Sequence, residues 1–257
     1  MHRRLPGTIL FPIFIFLSLL AWSTAARSPG STSEGEKKHD RMAGMDEKPK
    51  GRDIMATPAA PREDPGGMVT GVLLVNKKRP LPAAYAPTDL RPAMIPFTCP
   101  VGSPKRLLCA AAAEAIERLF ARAAEEGIAL VGISGYRSYE RQREIFAAHV
   151  TALGEEAANR VSARPGQSEH QTGLAIDVSS PEVGGLLVTS FGETEAGRWL
   201  AQNAPQYGFI IRYPRDKEDV TGYAYEPWHL RYVGTEHALV MAERGLTLEE
   251  YLAGQAR

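Results

Sequence analysis

A change of composition near Met68 limits what this chain of 257 residues folds into. From Arg27 to about Gly67 the sequence is Ser, Gly, Pro, Lys and Glu with few apolar residues ("SPGSTSEGEKKHDRMAGMDEKPKGRD"). Such a stretch buries too little surface to offset the entropy of ordering it, so residues 27–67 read as a disordered linker. A compact domain is expected over residues 68–257, opening at "MVTGVLLVNK" with strand character.

Ahead of the linker, Met1–Arg4 is short and basic, "TILFPIFIFLSLLAW" (8–22) is apolar and uncharged, and small residues follow in "STAA". That order is a signal peptide over residues 1–26, cleaved after Ala25 or Ala26, or an uncleaved membrane anchor. Either outcome exports the rest of the chain. Lys+Arg and Asp+Glu balance at 30 each, which leaves no global field for nucleic acid. The two cysteines, Cys99 and Cys109, stand ten apart. Export permits a disulfide between them, and two unpaired thiols are the alternative.

Within the domain, Pro82 and Pro87 forbid a helix after the first strand. Residues 104–126 place Leu108, Ala112, Ile116 and Leu119 on one face of a long amphipathic helix. A strand over 128–135 follows, then a helix "YERQREIFAAHVTAL" capped by Ser138 and a short helix over 155–163. Further strands are expected at 174–178, "FIIRYP" and "WHLRYVG". A helix "TEAGRWLAQNAPQYG" stopping at Gly208 lies between the first two, and one helix over 235–253 closes the chain. Helices and strands that need not form βαβ units make this α+β: a small, mainly antiparallel sheet flanked by helices.

Among six histidines two stand in suggestive settings. His170 lies in a loop entering a strand, and His229 lies three residues after Glu226 in "YEPWHLRYVG". With Asp177 they form a candidate three-ligand zinc site on the sheet that leaves a fourth position for water. An exported chain with few thiols must rely on imidazole and carboxylate ligands, which suits zinc.

"SEHQTGLAID" fits S-x-H-x-x-G-x-A-x-D, and "EPWH" fits a later E-x-x-H element. Together with "LLVNKKRPLP", "SGYRSYERQ", "YGFIIRYP" and "TGYAYEPWHLRYVG", these motifs resemble the zinc D-alanyl-D-alanine carboxypeptidases of the VanY/LdcB type, which are bacterial cell-wall peptidases. The resemblance spans most of residues 72–234 in family order; the leader, linker and cysteines lie outside it. It implies one zinc per chain on His170, Asp177 and His229, with Glu226 as the general base toward a zinc-bound water. It also implies that Arg137 faces the substrate, holding a C-terminal carboxylate or an oxyanion, and that Gln142, Ser168 and Tyr213 contact substrate. The expected reaction is release of a terminal D-alanine from a peptidoglycan stem peptide, D,D or L,D, by a monomer in the bacterial envelope or outside the cell. A catalytically silent wall-peptide or protein-binding module is the alternative on the same scaffold, and the intact acid at Glu226 argues against it.

Overall fold

The computed structural model describes residues 71–255. The expected leader, the whole of the expected linker and the first three residues of the expected domain lie outside this range. The opening segment departs from its expected strand character: Val72, Leu73, Leu74 and Val75 are buried, yet they run outside any strand of the sheet. The Pro-rich extended segment then ends in a short strand, β1 (Leu90–Pro92), paired antiparallel with β2 (Leu107–Cys109).

The long helix expected from residue 104 starts six residues later. Ser103 caps a 3-10 turn at Pro104–Arg106, the chain extends through β2, and helix α1 covers Ala110–Glu125. The reason lies in backbone bonds from distant segments. Ala93 N–H donates to the Arg106 carbonyl at 2.8 Å, Tyr136 N–H to the Leu107 carbonyl at 2.8 Å, and Cys109 N–H to the Gly173 carbonyl at 2.9 Å. These partners satisfy the groups that a helix would otherwise have paired internally. The apolar face behaves as expected: Leu108, Ala112, Ile116 and Leu119 are all fully buried.

Next come β3 (Val131–Ser134), α2 (Tyr139–Leu153), α3 (Glu155–Val161), β4 (Ala175–Ser179), α4 (Glu195–Asn203), β5 (Phe209–Tyr213), α5 (Glu218–Thr221) and β6 (Glu226–Tyr232). Ser138 caps α2, its hydroxyl accepting from Arg141 N–H at 3.2 Å. The terminal helix is two helices, α6 (Thr235–Arg244) and α7 (Leu248–Gln255). Gly245, at φ 62°, ends the first. Thr247 and Glu250 cap each other's backbone N–H groups at 3.2 and 2.8 Å, a capping box that starts the second.

Four strands form an antiparallel sheet in the order β3-β4-β6-β5, so the α+β expectation is borne out. Successive side chains of a strand point to opposite faces. One face carries Ile176, Val178, Phe209, Ile211 and Leu230 into a core shared with α1 and α4. The other carries Asp177, His229 and Arg231, with Ile210 at its far side packed among residues of α6 and α7. The sheet thus separates an apolar layer from a polar one, and the polar layer holds the candidate site.

Both cysteines are free, which resolves the open alternative against the bridge. Cys109 points inward, its thiol donating to the Thr172 carbonyl at 3.2 Å, and burial pushes that thiol up to about 12. Cys99 follows a segment pinned elsewhere, on β3, where Thr98 N–H donates to the Gly132 carbonyl at 3.1 Å. Gly173 closes the space beside Cys109: it sits at φ 69°, and a Cβ there would stand 2.8 Å from Leu90 and 2.9 Å from the Cys109 sulfur. Left-handed strain and the clash act together, so Gly173→Ala should lower unfolding free energy by about 2 kcal/mol or more in denaturant titration. Reducing agent should leave the wild-type melting temperature unchanged.

Candidate metal centre and active site

Strand register brings two of the candidate ligands together. Asp177 on β4 is the direct partner of His229 on β6, and both side chains rise from the polar face. The third arrives from a 3-10 turn, Glu169–Thr172, that leads into β4 and ends at left-handed Gly173. His170, on that turn, points Nε2 at Asp177 Oδ2, 3.3 Å away. His229 Nδ1 lies 3.3 Å from Asp177 Oδ1. The imidazole rings meet edge to face with centroids 4.9 Å apart.

One ligand atom from each residue falls within 4.8 Å of the others, and all three residues are buried. Ligands held about 2.0–2.2 Å from a tetrahedral zinc stand roughly 3.3–3.6 Å from each other; each histidine meets that spacing to one oxygen of Asp177, at 3.3 Å, while the outer limit of 4.8 Å for the three exceeds it. Two further features fit a cation. Asp177 Oδ1 is buried without a hydrogen-bond partner among the described residues. His170 Nδ1 lies 2.7 Å from the Gly135 carbonyl; a carbonyl only accepts, so Nδ1 carries the proton and the Nε2 lone pair is free for a metal.

Electrostatics agree with this donor set. Burial opposes ionisation of Asp177, but the imidazoles of His170 and His229 outweigh it and hold its carboxyl below the usual range. Burial also lowers His170, favouring the neutral ring. For His229 burial is overcome by the carboxylates of Asp177, Glu169 and Glu226, which carry it up to about 9.

Glu226 begins β6, opposite Tyr213 on β5, with its Oε2 3.6 Å from His229 Nδ1. Its side chain keeps 15% exposure, the most open of the acids at the site. Burial, with Asp177 also contributing, pushes it up to about 7. A carboxyl in that range exchanges a proton readily near neutral pH.

Arg137 lies between β3 and α2, tied down by its own N–H donating to the His170 carbonyl at 3.2 Å. Its guanidinium donates to Gln142 Oε1 at 2.8 Å and stands 3.8 Å from Asp177 Oδ2. Gln142 also donates to the Ala163 carbonyl at 2.6 Å. Both polar ends of Gln142 are therefore engaged inside the protein, where they brace Arg137. Ser168 is buried directly before the turn, and its side chain makes no capping hydrogen bond. The Tyr213 ring packs 4.9 Å from His229 and 4.8 Å from Tyr223, walling the site. Arg137, His170, Asp177, Tyr213, Glu226 and His229 thus gather around the polar face of β4 and β6, and Gln142 reaches it through Arg137.

The sequence reading overlooked a charged layer behind them. Arg212 and Arg231 are both fully buried, and both donate to Glu169 Oε1, at 2.8 and 2.7 Å. Arg212 also forms a fork with Glu249 of α7, at 2.9 and 2.7 Å. One signal was present: an Arg inside each of the apolar strands "FIIRYP" and "WHLRYVG", the second two residues from His229 and so on its face.

Comparison with known proteins agrees with this geometry. A family model described as D-alanyl-D-alanine carboxypeptidase, VanY, matches residues 105–235. The putative carboxypeptidase YodJ of Bacillus subtilis (strain 168) is 50% identical over 178 residues, covering 69% of this chain and 65% of the relative. The match therefore spans slightly less than two thirds of that relative's length. Among solved structures, the LdcB LD-carboxypeptidase is 46% identical with a TM-score of 0.68, covering 73% of this chain and 92% of that one. A mutant of the vancomycin-resistance D,D-pentapeptidase VanY, solved in complex with Zn(II), is 38% identical with a TM-score of 0.59, covering 70% of this chain and 97% of that one. With its motifs in order, a metal-ready His-Asp-His triplet and these likenesses, the chain belongs to the VanY-type D-alanyl-D-alanine carboxypeptidase family.

Proposed function

We propose that this protein is a zinc-dependent carboxypeptidase that removes a C-terminal D-alanine from peptidoglycan stem peptides. The observation that carries the reading is one cluster: the triplet His170, Asp177 and His229, with a largely buried acid, Glu226, 3.6 Å from His229 and a braced guanidinium, Arg137, 3.8 Å from Asp177. The named activities of LdcB and VanY support the substrate class, and they leave both L,D and D,D cleavage open here. Such a substrate places the enzyme in the bacterial envelope or outside the cell. That location agrees with the reading of residues 1–26 as an export signal or anchor and of 27–67 as a linker. Residues 68–257 are the catalytic domain in this reading, and no helix among the described residues is long and apolar enough to cross a membrane. A monomer suffices, since one chain supplies every group.

Zinc, when held by His170, Asp177 and His229, supplies Lewis acidity that polarises the scissile carbonyl and acidifies a water molecule. Glu226 takes the proton from the attacking water and returns it to the amine of the departing D-alanine. Arg137, held by Gln142, offers its remaining N–H donors to the substrate carboxylate or to the oxyanion as charge develops. Tyr213 shields one side of the reacting atoms.

Glu226→Gln should lower kcat by about 10²–10⁴-fold, with zinc stoichiometry retained. Full activity in that variant would exclude Glu226 as the base. Incubating the zinc-loaded protein with muropeptide tetra- and pentapeptides and weighing the products assigns the bond; release of D-alanine from neither would remove the carboxypeptidase reading and favour a silent binding module. Metal uptake should also depend on pH. His229 is protonated at neutral pH in the metal-free protein, and zinc must displace that proton. Apparent zinc affinity in chelator competition should therefore rise about tenfold per pH unit up to roughly pH 9, then level off.

A further inference from the structure

The two histidines of the centre differ in what holds their outer nitrogens. His170 is settled by the Gly135 carbonyl at 2.7 Å. His229 Nε2 is buried and lacks a hydrogen-bond partner among the described residues. Facing it at 3.7 Å is Glu169 Oε2, which is equally buried and equally unpartnered. Two complementary polar atoms left buried and unpaired beside each other each carry a desolvation penalty. A small rotation of the imidazole would bring them into hydrogen-bond range.

The surroundings explain why that oxygen is the one left over. Glu169 Oε1 is saturated by Arg212 Nε and Arg231 Nη1. Arg212 spends its other donors on Glu249, which also accepts from Asn76 Nδ2 at 3.0 Å, and Arg231 Nη2 donates to the Leu73 carbonyl. The two guanidiniums fix the carboxylate plane through Oε1, which leaves Oε2 turned toward His229 as an acceptor.

We propose that Glu169 is the positioning residue of the metal centre: Oε2 accepts the Nε2–H of His229, which leaves the Nδ1 lone pair directed at the metal. This rests on the zinc-site reading above. It assigns the Glu169–Arg212–Arg231–Glu249 layer a task besides stability, which is to set the tautomer and ring orientation of one ligand. Outer partners of metal-bound histidines commonly contribute 10–100-fold in affinity.

The test compares wild type, Glu169→Gln and Glu249→Gln by zinc titration against a competing chelator, with long-range ¹H–¹⁵N spectra of the zinc-loaded, histidine-labelled wild type. In Glu169→Gln the amide has one oxygen, which two guanidiniums claim, so its NH₂ group faces His229 Nε2 and disfavours the required tautomer. That variant should bind zinc about 10–100-fold more weakly. Glu249→Gln perturbs the same charged layer through the shared Arg212 but leaves Glu169 Oε2 opposite His229, so it should lose far less, staying within about threefold of wild type. The spectra should show a proton on His229 Nε2. Equal affinity in Glu169→Gln, an equal loss in Glu249→Gln, or an unprotonated Nε2 would each overturn the proposal. If Glu169→Gln fails to fold, the wild-type spectrum alone decides. Wild type that binds no zinc would instead overturn the metal-site reading, and this inference with it.

Discussion

The antiparallel pairing of β4 with β6, which sets Asp177 opposite His229, is the constraint on which the rest of the site depends. A slip of β4 by one residue in that register would turn Asp177 to the opposite face, into the layer packed against α1 and α4 and away from His229. What prevents the slip is the apolar face itself. Ile176, Val178 and Leu230 are fully buried there, so the hydrophobic pattern that builds the core also aims the polar residues at one another.

Concentrating charge on one face of a small sheet has a cost that the structure meets locally. Asp177 is compensated by two imidazoles and Arg137, and Glu169 by two guanidiniums. Such groups contribute little net stability compared with well-packed apolar residues, whereas leaving any one unpaired is expensive. Their presence is better explained by the chemistry they arrange than by the fold they hold. Glu226 differs from its neighbours in that burial outweighs the pull of His229 and Arg137 and keeps its proton affinity high. Asp177 and Glu226 are both carboxylates, but their partners give them opposite proton affinities.

Much was legible because it is local. The helix at 139–153 followed from its Ser138 cap, and β4, β5 and β6 lie on short, largely apolar runs flanked by Gly and Pro. The boundaries that failed did so where distant backbone decided. Residues 107–109 carry a helical pattern, yet hydrogen bonds from Ala93, Tyr136 and Gly173 draw them into an extended strand. The break at Gly245 could have been read, since "TLEE" is a capping box.

For the site, the sequence by itself supplied the motif residues and their order, because ligand chemistry restricts a metal centre to a few residue types. Their convergence belongs to the tertiary structure: Glu226 and His229 lie some fifty residues from His170 and Asp177, and only the β4–β6 register makes them neighbours. The charged layer was the least visible part. Glu169, next to a ligand, reads in sequence as an ordinary surface acid, and its burial between Arg212 and Arg231 depends on three segments closing over it. Residue types and local periodicity are written along the chain. Burial, pairing and the direction in which a side chain points are set by what packs against it.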